Sequence, residues 1–229
     1  MSVPRTARAR ARAEITREIT DAARRQLAES GAAALSLRAI ARELGMVSSA
    51  LYRYFPSRDE LLTTLIIDAY NAIGEDVEQA VASAAAPRAQ WRAAAVAVRA
   101  WAHAHPHEYA LIYGSPVPGY EAPQETIGPA SRTGVAILGL VYRAWQHGVL
   151  ATTPESLAPD LSAQSAAIAA MIGPGLPEST VARTFLALTQ MFGVVTFELI
   201  GQLNNSMDPA GPFFDYAIDT MADLIGLPA

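Results

Sequence analysis

Apolar residues recur every three or four positions along most of the chain, a spacing that predicts α-helices throughout. The first helix is predicted from about residue 12 to residue 30, with an apolar stripe at Ile15, Ile19, Ala22, Ala23 and Leu27. Two short helices follow around a tight turn at Gly45, since glycine enters the left-handed conformation without a Cβ clash. These segments predict a small three-helix unit with an inward face of Leu37, Leu44, Leu51 and Phe55.

Polar residues mark where the short helices begin and end. Ser36 can cap the second helix, whereas the third begins at Val47 without a side-chain oxygen for that purpose. Pro56 ends the third helix, and Ser57 with Glu60 three residues later forms a capping box for the next one. Helical geometry divides residues 47–55 into two faces. The inward face is predicted to hold Val47, Ala50, Leu51, Tyr54 and Phe55, and the outward face Ser48, Ser49, Tyr52 and Arg53.

The same periodicity predicts a larger helical bundle after this unit, with loops rich in proline and glycine between its helices. The predicted helices span residues 57–86, 88–105, 124–147, 161–172, 178–203 and 212–225, with a short helix after residue 107. The helix at 124–147 carries its apolar stripe at Ile127, Val135, Leu138, Val141, Tyr142 and Trp145. The predicted fold is all-α, with a helix-turn-helix head at residues 12–60 and a helical-bundle body at 61–229.

The formal net charge of −5 is distributed unevenly along the chain. Residues 1–60 hold 11 arginines against 7 acids, whereas the remaining residues hold 6 arginines against 15 acids. A basic N-terminal module on an acidic body predicts that only the first part of the chain meets DNA. Residues 1–11 are expected to be disordered, as a solvated tail or as an arm whose Arg5, Arg8 and Arg10 approach DNA.

Several kinds of chemistry are disfavoured by residues that the chain lacks. The absence of cysteine excludes disulfides, thiolate zinc sites and cysteine nucleophiles. No glycine-rich phosphate loop, GxSxG or SxxK motif is present, so an enzyme is disfavoured and no cofactor is expected. Histidines at 103–107 could share a metal ion, but Pro106 interrupts the helix between His103 and His107, which favours ordinary helix-end histidines and no metal. We find no secretory leader and no continuous apolar run near about 20 residues, so we expect a cytoplasmic protein without membrane spans.

The segment LSLRAIARELGMVSSALYRYFPSRDELL at residues 35–62 resembles the DNA-binding domain of the tetracycline-repressor (TetR) family of bacterial regulators. The resemblance covers roughly residues 12–65 and is carried by Leu35-Ser36, Ile40-Ala41, Leu44-Gly45, Leu51-Tyr52, Phe55, Ser57 and Leu61. Val47 stands where the family commonly has a capping Ser or Thr, and Arg58 where it commonly has Lys. The resemblance implies a homodimer that places two recognition helices in the major grooves of a palindromic operator in double-stranded DNA.

Position and resemblance together assign two groups of DNA-binding residues. Phosphate contacts, which set register without reading sequence, are expected from Ser36, Tyr52, Tyr54 and Arg58. Base-edge contacts are expected from Arg38, Ser48, Ser49 and Arg53. Because the helical wheel turns Tyr54 inward, its phosphate role rests on the resemblance alone. For Tyr52, shielding of the small core remains an alternative.

The body is predicted to sense a small, largely apolar effector, because apolar cavities with a few polar groups are typical ligand sites. Candidate pocket residues are Trp101, Tyr109, Tyr113, Tyr142 and Trp145, with ordinary core packing as the alternative for each. The pattern of Trp145, His147 and Gly148 also resembles a C-terminal subclass of the family named for a Trp-His-Gly signature. A regulator that senses no small molecule, with a body used for dimerisation or a protein partner, remains the alternative.

The helix at 178–203 is apolar nearly all round, and such a helix must be covered on every side. A partner chain could cover one side, and a wholly intramolecular core is the alternative. The family resemblance favours a dimer. The candidate interface residues are Phe185, Leu188, Phe192, Val195 and Leu199.

Overall fold

The computed structural model describes residues 7–152 and 155–229, with side chains from Ala9 onward, and every regular element in these ranges is helical. The α-helices are α1 (Ala7–Ser30), α2 (Leu37–Glu43), α3 (Ser48–Leu51), α4 (Arg58–Ser83), α5 (Pro87–Ala104), α6 (Pro106–Tyr113), α7 (Ile127–Gln146), α8 (Pro159–Ile172), α9 (Glu178–Leu199) and α10 (Ala210–Ile225). Two 3₁₀ turns lie at Ala32–Ala34 and Gln124–Thr126. The predicted all-α class is confirmed.

The chain forms two compact units. The head unit contains the described residues up to Tyr70 together with His105–Ile127. The body unit contains Asn71–Ala104 and Gly128–Ala229. The head unit is therefore larger than the predicted domain at residues 12–60, because a segment far along the sequence folds onto it.

The predicted three-helix core forms in the head unit. Leu37 of α2 is buried, as are Leu51 of α3 and Phe55 beyond it, and Leu44 packs against them from a partly buried position. The stripe of α1 is buried at Ile19, Ala22, Ala23 and Leu27, and α4 adds Leu61, Leu62 and Leu65. Helix α4 therefore closes the core that α1, α2 and α3 share.

The predicted caps of the helix-turn-helix are present. Ser36 Oγ accepts a hydrogen bond from the backbone amide of Ala39 at 3.4 Å, and Ser57 Oγ accepts one from the amide of Glu60 at 3.1 Å. Gly45 has a φ of 66°, the left-handed conformation that a glycine turn allows. Val47 precedes α3 in an extended conformation and supplies no side-chain cap.

The segment 105–127 joins the head unit through polar contacts on three helices. The Arg24 guanidinium of α1 contacts Asp68 of α4 at 2.9 Å and Glu108 of α6 at 3.1 Å. Burial raises the pKa of the Asp68 carboxyl, and the charge of Arg24 opposes that shift. Further on, the Thr63 and Tyr120 hydroxyl oxygens lie 2.9 Å apart. These contacts make α6 part of the head unit.

The body unit is built around α5, α9 and α10. Trp91 of α5 is buried and donates from Nε1 to the carbonyl of Ile218 at 2.9 Å. Arg99 donates to both carboxylate oxygens of Glu198, at 2.8 and 2.5 Å, and its guanidinium lies over the Phe214 ring. Burial tends to raise the pKa of Glu198, but the hydrogen bonds and charge of Arg99, with His103, outweigh it and leave that pKa lowered.

Within the described ranges, α9 is the one helix that is long and apolar enough to cross a membrane by length and composition. The mean hydropathy of an 18-residue stretch within it is 1.3. Core helices of water-exposed proteins pass the same test. In the body unit α9 packs against α8, α10 and α5, and it buries Ala187, Met191 and Val195 there. That packing favours a core helix.

The predicted start of the first helix at about residue 12, and the predicted disorder before it, are corrected for residues 7–11. Helix α1 begins at Ala7, so residues 7–11 are helical and are not disordered as predicted. Alanine and arginine both favour helix, which lets α1 extend beyond its buried stripe. Arg10 therefore lies on α1, while Arg5 and the side chain of Arg8 are outside the described residues.

Three apolar side chains predicted to face a core are exposed instead: Val47 at 70%, Ile127 at 63% and Val135 at 52%. The predicted third helix ran to residue 55, whereas α3 ends at Leu51 and continues as a turn. A helical wheel therefore does not apply across residues 47–55. Ile127 is the first residue of α7, and Val135 lines a surface groove with Gly139 and Arg143.

Val47→Ser should stabilise the head unit by about 1 kcal/mol. The extended backbone at this position matches an N-cap, so the new hydroxyl can accept a free amide of α3. Little buried apolar surface is lost, because Val47 is mostly exposed. Denaturant unfolding of both proteins measures the change, with Val96→Ser on α5 as an exposed control. A stability no higher than that of the control would contradict the cap.

Glu198→Gln should lower the free energy of unfolding at pH 7 by about 2 kcal/mol, since it removes the charge that Arg99 binds. The folded pKa lies below the ordinary value of 4.5, so the ionised form contributes stability above that pH. The contribution is lost as the pH falls through the folded pKa. Unfolding curves between pH 7 and pH 3 should therefore converge for the two proteins, while Asp76→Asn, at an exposed acid, should leave stability nearly unchanged.

Candidate nucleic-acid interface

The outer face of α3 and of the turn after it is polar and exposed. Ser48, Ser49 and Arg53 are exposed, and Tyr52 is 41% exposed. The face exists because Leu51 is fully buried and orients the short helix. Hydroxyls on this short helix and a guanidinium on the turn after it can bond to base edges or phosphates in a major groove.

Tyr54 lies at the edge of this face. It is partly buried against the head core, and the Arg12 guanidinium of α1 lies 5.1 Å from its ring centroid. Arg12 also approaches the Arg53 carbonyl at 3.5 Å. The helical wheel predicted that Tyr54 faces inward, and the structure shows a side chain that is partly buried and partly accessible.

Arg12 is a candidate DNA-binding residue that the sequence reasoning missed. It is exposed, and it stands beside Arg53 and Tyr54 although 41 residues separate it from Arg53. Its position near the start of the predicted first helix offered the only signal. That signal was insufficient, because only the packing of α1 across α3 brings the guanidinium to this face.

Arg58 contributes to the head unit itself. Its Nη2 donates to the carbonyl of Ala32 at 2.8 Å, which ties the start of α4 to the 3₁₀ turn after α1. A second contact reaches the carbonyl of Ala33 at 3.4 Å. The side chain is 29% exposed. The structure thus gives Arg58 a positioning role in addition to the phosphate contact that was predicted.

Helix α2 presents its first turn through Ser36 and Arg38. Ser36 is partly buried, with its hydroxyl used as the N-cap and its backbone amide donating to Gln26 Oε1 at 2.7 Å. Arg38 is exposed on the same turn. Of this pair, Arg38 has the side chain that can extend away from the protein.

Val47 adds an apolar side chain to this otherwise polar surface. It directly precedes Ser48 and is 70% exposed, the highest value among the large apolar side chains described in the head unit. Apolar side chains in a major groove contact the methyl group of thymine. The sequence reasoning placed Val47 in the core and so missed it.

The five aromatic residues proposed to line one pocket are divided between the two units. Tyr109 and Tyr113 belong to the head unit, where their ring centroids are 5.1 Å apart and Tyr70 lies edge-on to Tyr113. Tyr142 and Trp145 stack in the body unit at 5.8 Å. Trp101 is buried on α5.

The Tyr142–Trp145 stack is closely covered by the loop between α8 and α9. A Cβ added at Gly173 would lie 2.1 Å from Tyr142, and one at Gly175 would lie 2.8 Å from Trp145. These contacts are the close packing of a core. They favour the alternative of ordinary packing for both rings.

The residues proposed for the dimer interface do not share one exposed face. Leu188 and Val195 are buried inside the chain, Phe192 and Leu199 are partly buried, and Phe185 is 41% exposed. Within the chain, therefore, Phe185 is the one member of this set with a largely open side chain.

A different stripe of α9 is exposed. Leu186, Gly193, Phe197 and Ile200 recur at helical spacing, and the three apolar side chains are 48–62% exposed. A Cβ at Gly193 would meet nothing within 4 Å, so the backbone of α9 is open there.

Two of the histidines at 103–107 contact different carboxylates. His103 Nε2 lies 3.1 Å from Glu198 in the body unit, and His105 Nδ1 lies 3.2 Å from Glu108 in the head unit. Among the described residues, no group of three or more His, Cys, Asp or Glu side chains is arranged to hold a metal ion.

Comparisons with known proteins agree with the helix-turn-helix geometry. Residues 19–65 match the family described as bacterial regulatory proteins of the tetR family, and residues 91–221 match the tetracyclin repressor-like C-terminal domain. The HTH-type transcriptional regulators Rv1816 of Mycobacterium tuberculosis and Mb1846 of Mycobacterium bovis are each 41% identical over 212 residues, covering 90% of this chain and 89% of theirs.

A solved structure shares the whole fold. The crystal structure of the regulatory protein SCO4313 superposes with a TM-score of 0.78 and 34% identity, over 95% of this chain and 100% of that one. The family matches cover both the DNA-binding region and most of the body, and the regulator matches span nearly the full length. The chain therefore belongs to the TetR family of transcriptional regulators.

Proposed function

We propose that this TetR-family protein is a ligand-responsive repressor that binds a palindromic operator as a homodimer and is released by a small, largely apolar molecule. The observation that carries the DNA-binding part is the exposed polar face of α3, held on the buried core through Leu51. The protein would act in the cytoplasm. The effector part rests on the apolar body and on the function of the family.

Within this proposal, base-edge contacts come from Arg38, Ser48, Ser49 and Arg53, with Val47 against thymine methyl groups. Phosphate contacts come from Ser36, Tyr52, Tyr54 and Arg58, joined by Arg12. The exposed guanidiniums of Arg12, Arg38 and Arg53 supply most of the salt-dependent affinity, because neutralised phosphates release counterions. Arg58 would contribute less to the affinity than these residues, because its Nη2 already donates to the carbonyl of Ala32.

The exposed α9 stripe is the proposed dimer interface, continued on α10 by Tyr216 and Leu224, which are 69% and 38% exposed. The two helices pack side by side, so the stripes can form one surface. Gly193 would let a partner helix approach closely. Leu188 and Val195, which were predicted as interface residues, are buried and would contribute to the core on which this surface is built.

A ligand can release DNA only if it binds better to a body geometry in which the two heads are wrongly spaced. The chain passes between the units at three points: within α4 after Tyr70, between Ala104 and His105, and between Ile127 and Gly128. Helix α4 is continuous across the first point, which makes it the proposed element of transmission.

The resemblance to the Trp-His-Gly subclass remains part of this proposal. Gly148 closes the end of α7 with a φ of 67° and donates from its amide to the carbonyl of Trp145 at 2.9 Å. The signature residues thus combine a helix stop with an aromatic ring that packs in the body.

A regulator without small-molecule sensing is the second candidate. The close packing of Tyr142 against Gly173 and of Trp145 against Gly175 favours it, because rings packed in this way leave little room for a ligand beside them. In that case, binding to operator DNA would be insensitive to small apolar compounds and the body would serve dimerisation or a protein partner.

Arg53→Ala should weaken binding to a cognate operator by about tenfold or more and relax the base preference at one position in each half-site. Fluorescence anisotropy on upstream DNA, with scrambled DNA as a control, measures both effects in a salt series. Tyr52→Phe should weaken binding similarly on every sequence. Arg143→Ala removes an equal charge from the exposed surface of the body and should change neither. Equal losses on all sequences for Arg53→Ala would refute its base-reading role.

Phe197→Glu should convert the proposed dimer to a monomer, because a carboxylate would be buried against the same stripe of the partner. Val96→Glu introduces the same charge at a similarly exposed residue of α5 and should leave the dimer intact. Sedimentation velocity gives the oligomeric state, and operator binding should weaken only for the monomer. A dimeric Phe197→Glu protein would place the interface elsewhere.

A further inference from the structure

A groove of about 610 Å³ lies between α8 and α9 in the body unit. Its walls are mostly apolar: Leu161 and Ile168 from α8 face Val181, Phe185 and Leu186 from α9. Leu161, Phe185 and Leu186 are each 41–48% exposed, so a row of apolar side chains is left open to water. Its volume falls in the range of about 300–1,000 Å³ that is usual for small-molecule sites.

The floor of the groove contains a polar group that a ligand could use. Ser165 lines the groove and is 3% exposed, and among the described residues its hydroxyl has no hydrogen-bond partner. A hydroxyl in this position can donate to or accept from a bound molecule. Gln164 on the preceding position adds an exposed amide at the edge.

The charges of the groove cancel. The Arg183 guanidinium donates to Glu155 from Nε at 3.1 Å and from Nη2 at 3.0 Å. Among the described residues, these are the two ionisable side chains that line the groove. Because Arg183 and Glu155 neutralise each other, neither supplies a charge that could balance the charge of an ionic ligand. An ionised ligand would also lose hydration against the apolar walls without a free counter-charge.

From these features we propose that the α8–α9 groove binds a neutral, mainly apolar small molecule with one hydrogen-bonding oxygen, such as a medium-chain alcohol, ketone or lactone. This deepens the proposed function, on which it rests, by assigning the effector a site and a chemical class. The site uses neither the aromatic clusters nor the DNA-reading face.

The groove is connected to the proposed dimer surface through one helix. Leu186 lines the groove in the first half of α9 and also begins the exposed stripe, which Phe197 continues in the second half of the helix. A ligand that separates α8 from α9 would shift this helix, and hence the surface against which a second copy docks. Such a ligand affects DNA binding only by the difference in its affinity for the two arrangements.

The test uses the full chain and Nile red, a neutral apolar dye with a carbonyl acceptor whose emission rises in apolar surroundings. We expect saturable binding to the wild-type protein. Gln164→Trp, in which an exposed side chain of the groove becomes a bulky ring, should weaken binding at least tenfold. Met171→Trp places the same ring at a 76% exposed residue of α8 that does not line the groove, and it should change binding less than twofold.

Ser165→Ala should weaken binding of the dye by about fivefold, the loss expected for one hydrogen bond. Circular dichroism establishes that each variant is folded. The proposal is overturned if the dye does not bind, or if Gln164→Trp and Met171→Trp bind it equally well. It is also overturned if Gln164→Trp alone converts a dimer to a monomer, because the groove would then be covered by a second copy of the chain.

Operator binding separates this proposal from the proposed function. If the dye binds in the groove and weakens binding to DNA in the wild-type protein but not in Gln164→Trp, both are supported. If it binds there and leaves DNA affinity unchanged, the site stands and the effector role in the proposed function fails.

Discussion

The proposed DNA-reading face, which is the exposed polar surface of α3 and the turn after it, depends on the burial of Leu51 and Phe55. Helix α3 has four residues, far fewer than the roughly 12–15 that an isolated helix needs in water. Its position therefore comes from these two side chains, each of which contributes roughly 1.5–3 kcal/mol when buried. Helices α1, α2 and α4 supply the surface that receives them. With Leu51 and Phe55 buried, Ser48, Ser49 and Arg53 are left exposed on the outer surface.

The head unit includes a part of the chain that the helix-turn-helix pattern does not contain. Arg24 links α1 to α4 and α6 through Asp68 and Glu108, and tyrosine contacts extend the same attachment. Because these bonds lie within one unit, residues 105–127 form part of the same unit as the helix-turn-helix core. The chain connects this unit to the body within α4 and on either side of residues 105–127.

Helix α9 divides its apolar residues between two roles. Ala187, Met191 and Val195 complete the body core, whereas Leu186, Phe197 and Ile200 remain exposed. Exposed apolar residues in a row indicate an interaction surface. Leu186 belongs both to the groove beside α8 and to the stripe centred on Gly193, so the proposed ligand site and the proposed dimer surface adjoin on this helix.

The sequence by itself determined the all-α class, the caps at Ser36 and Ser57, the Gly45 turn and the core positions of the head, because these follow from local periodicity and turn chemistry. Tertiary structure decided which face of a helix is covered. The α9 pattern is apolar on most sides, so periodicity could not separate buried Leu188 from exposed Leu186. It likewise could not place Arg12 beside Tyr54 or gather Tyr109 into the head, since such contacts join residues far apart in sequence and depend on how helices pack.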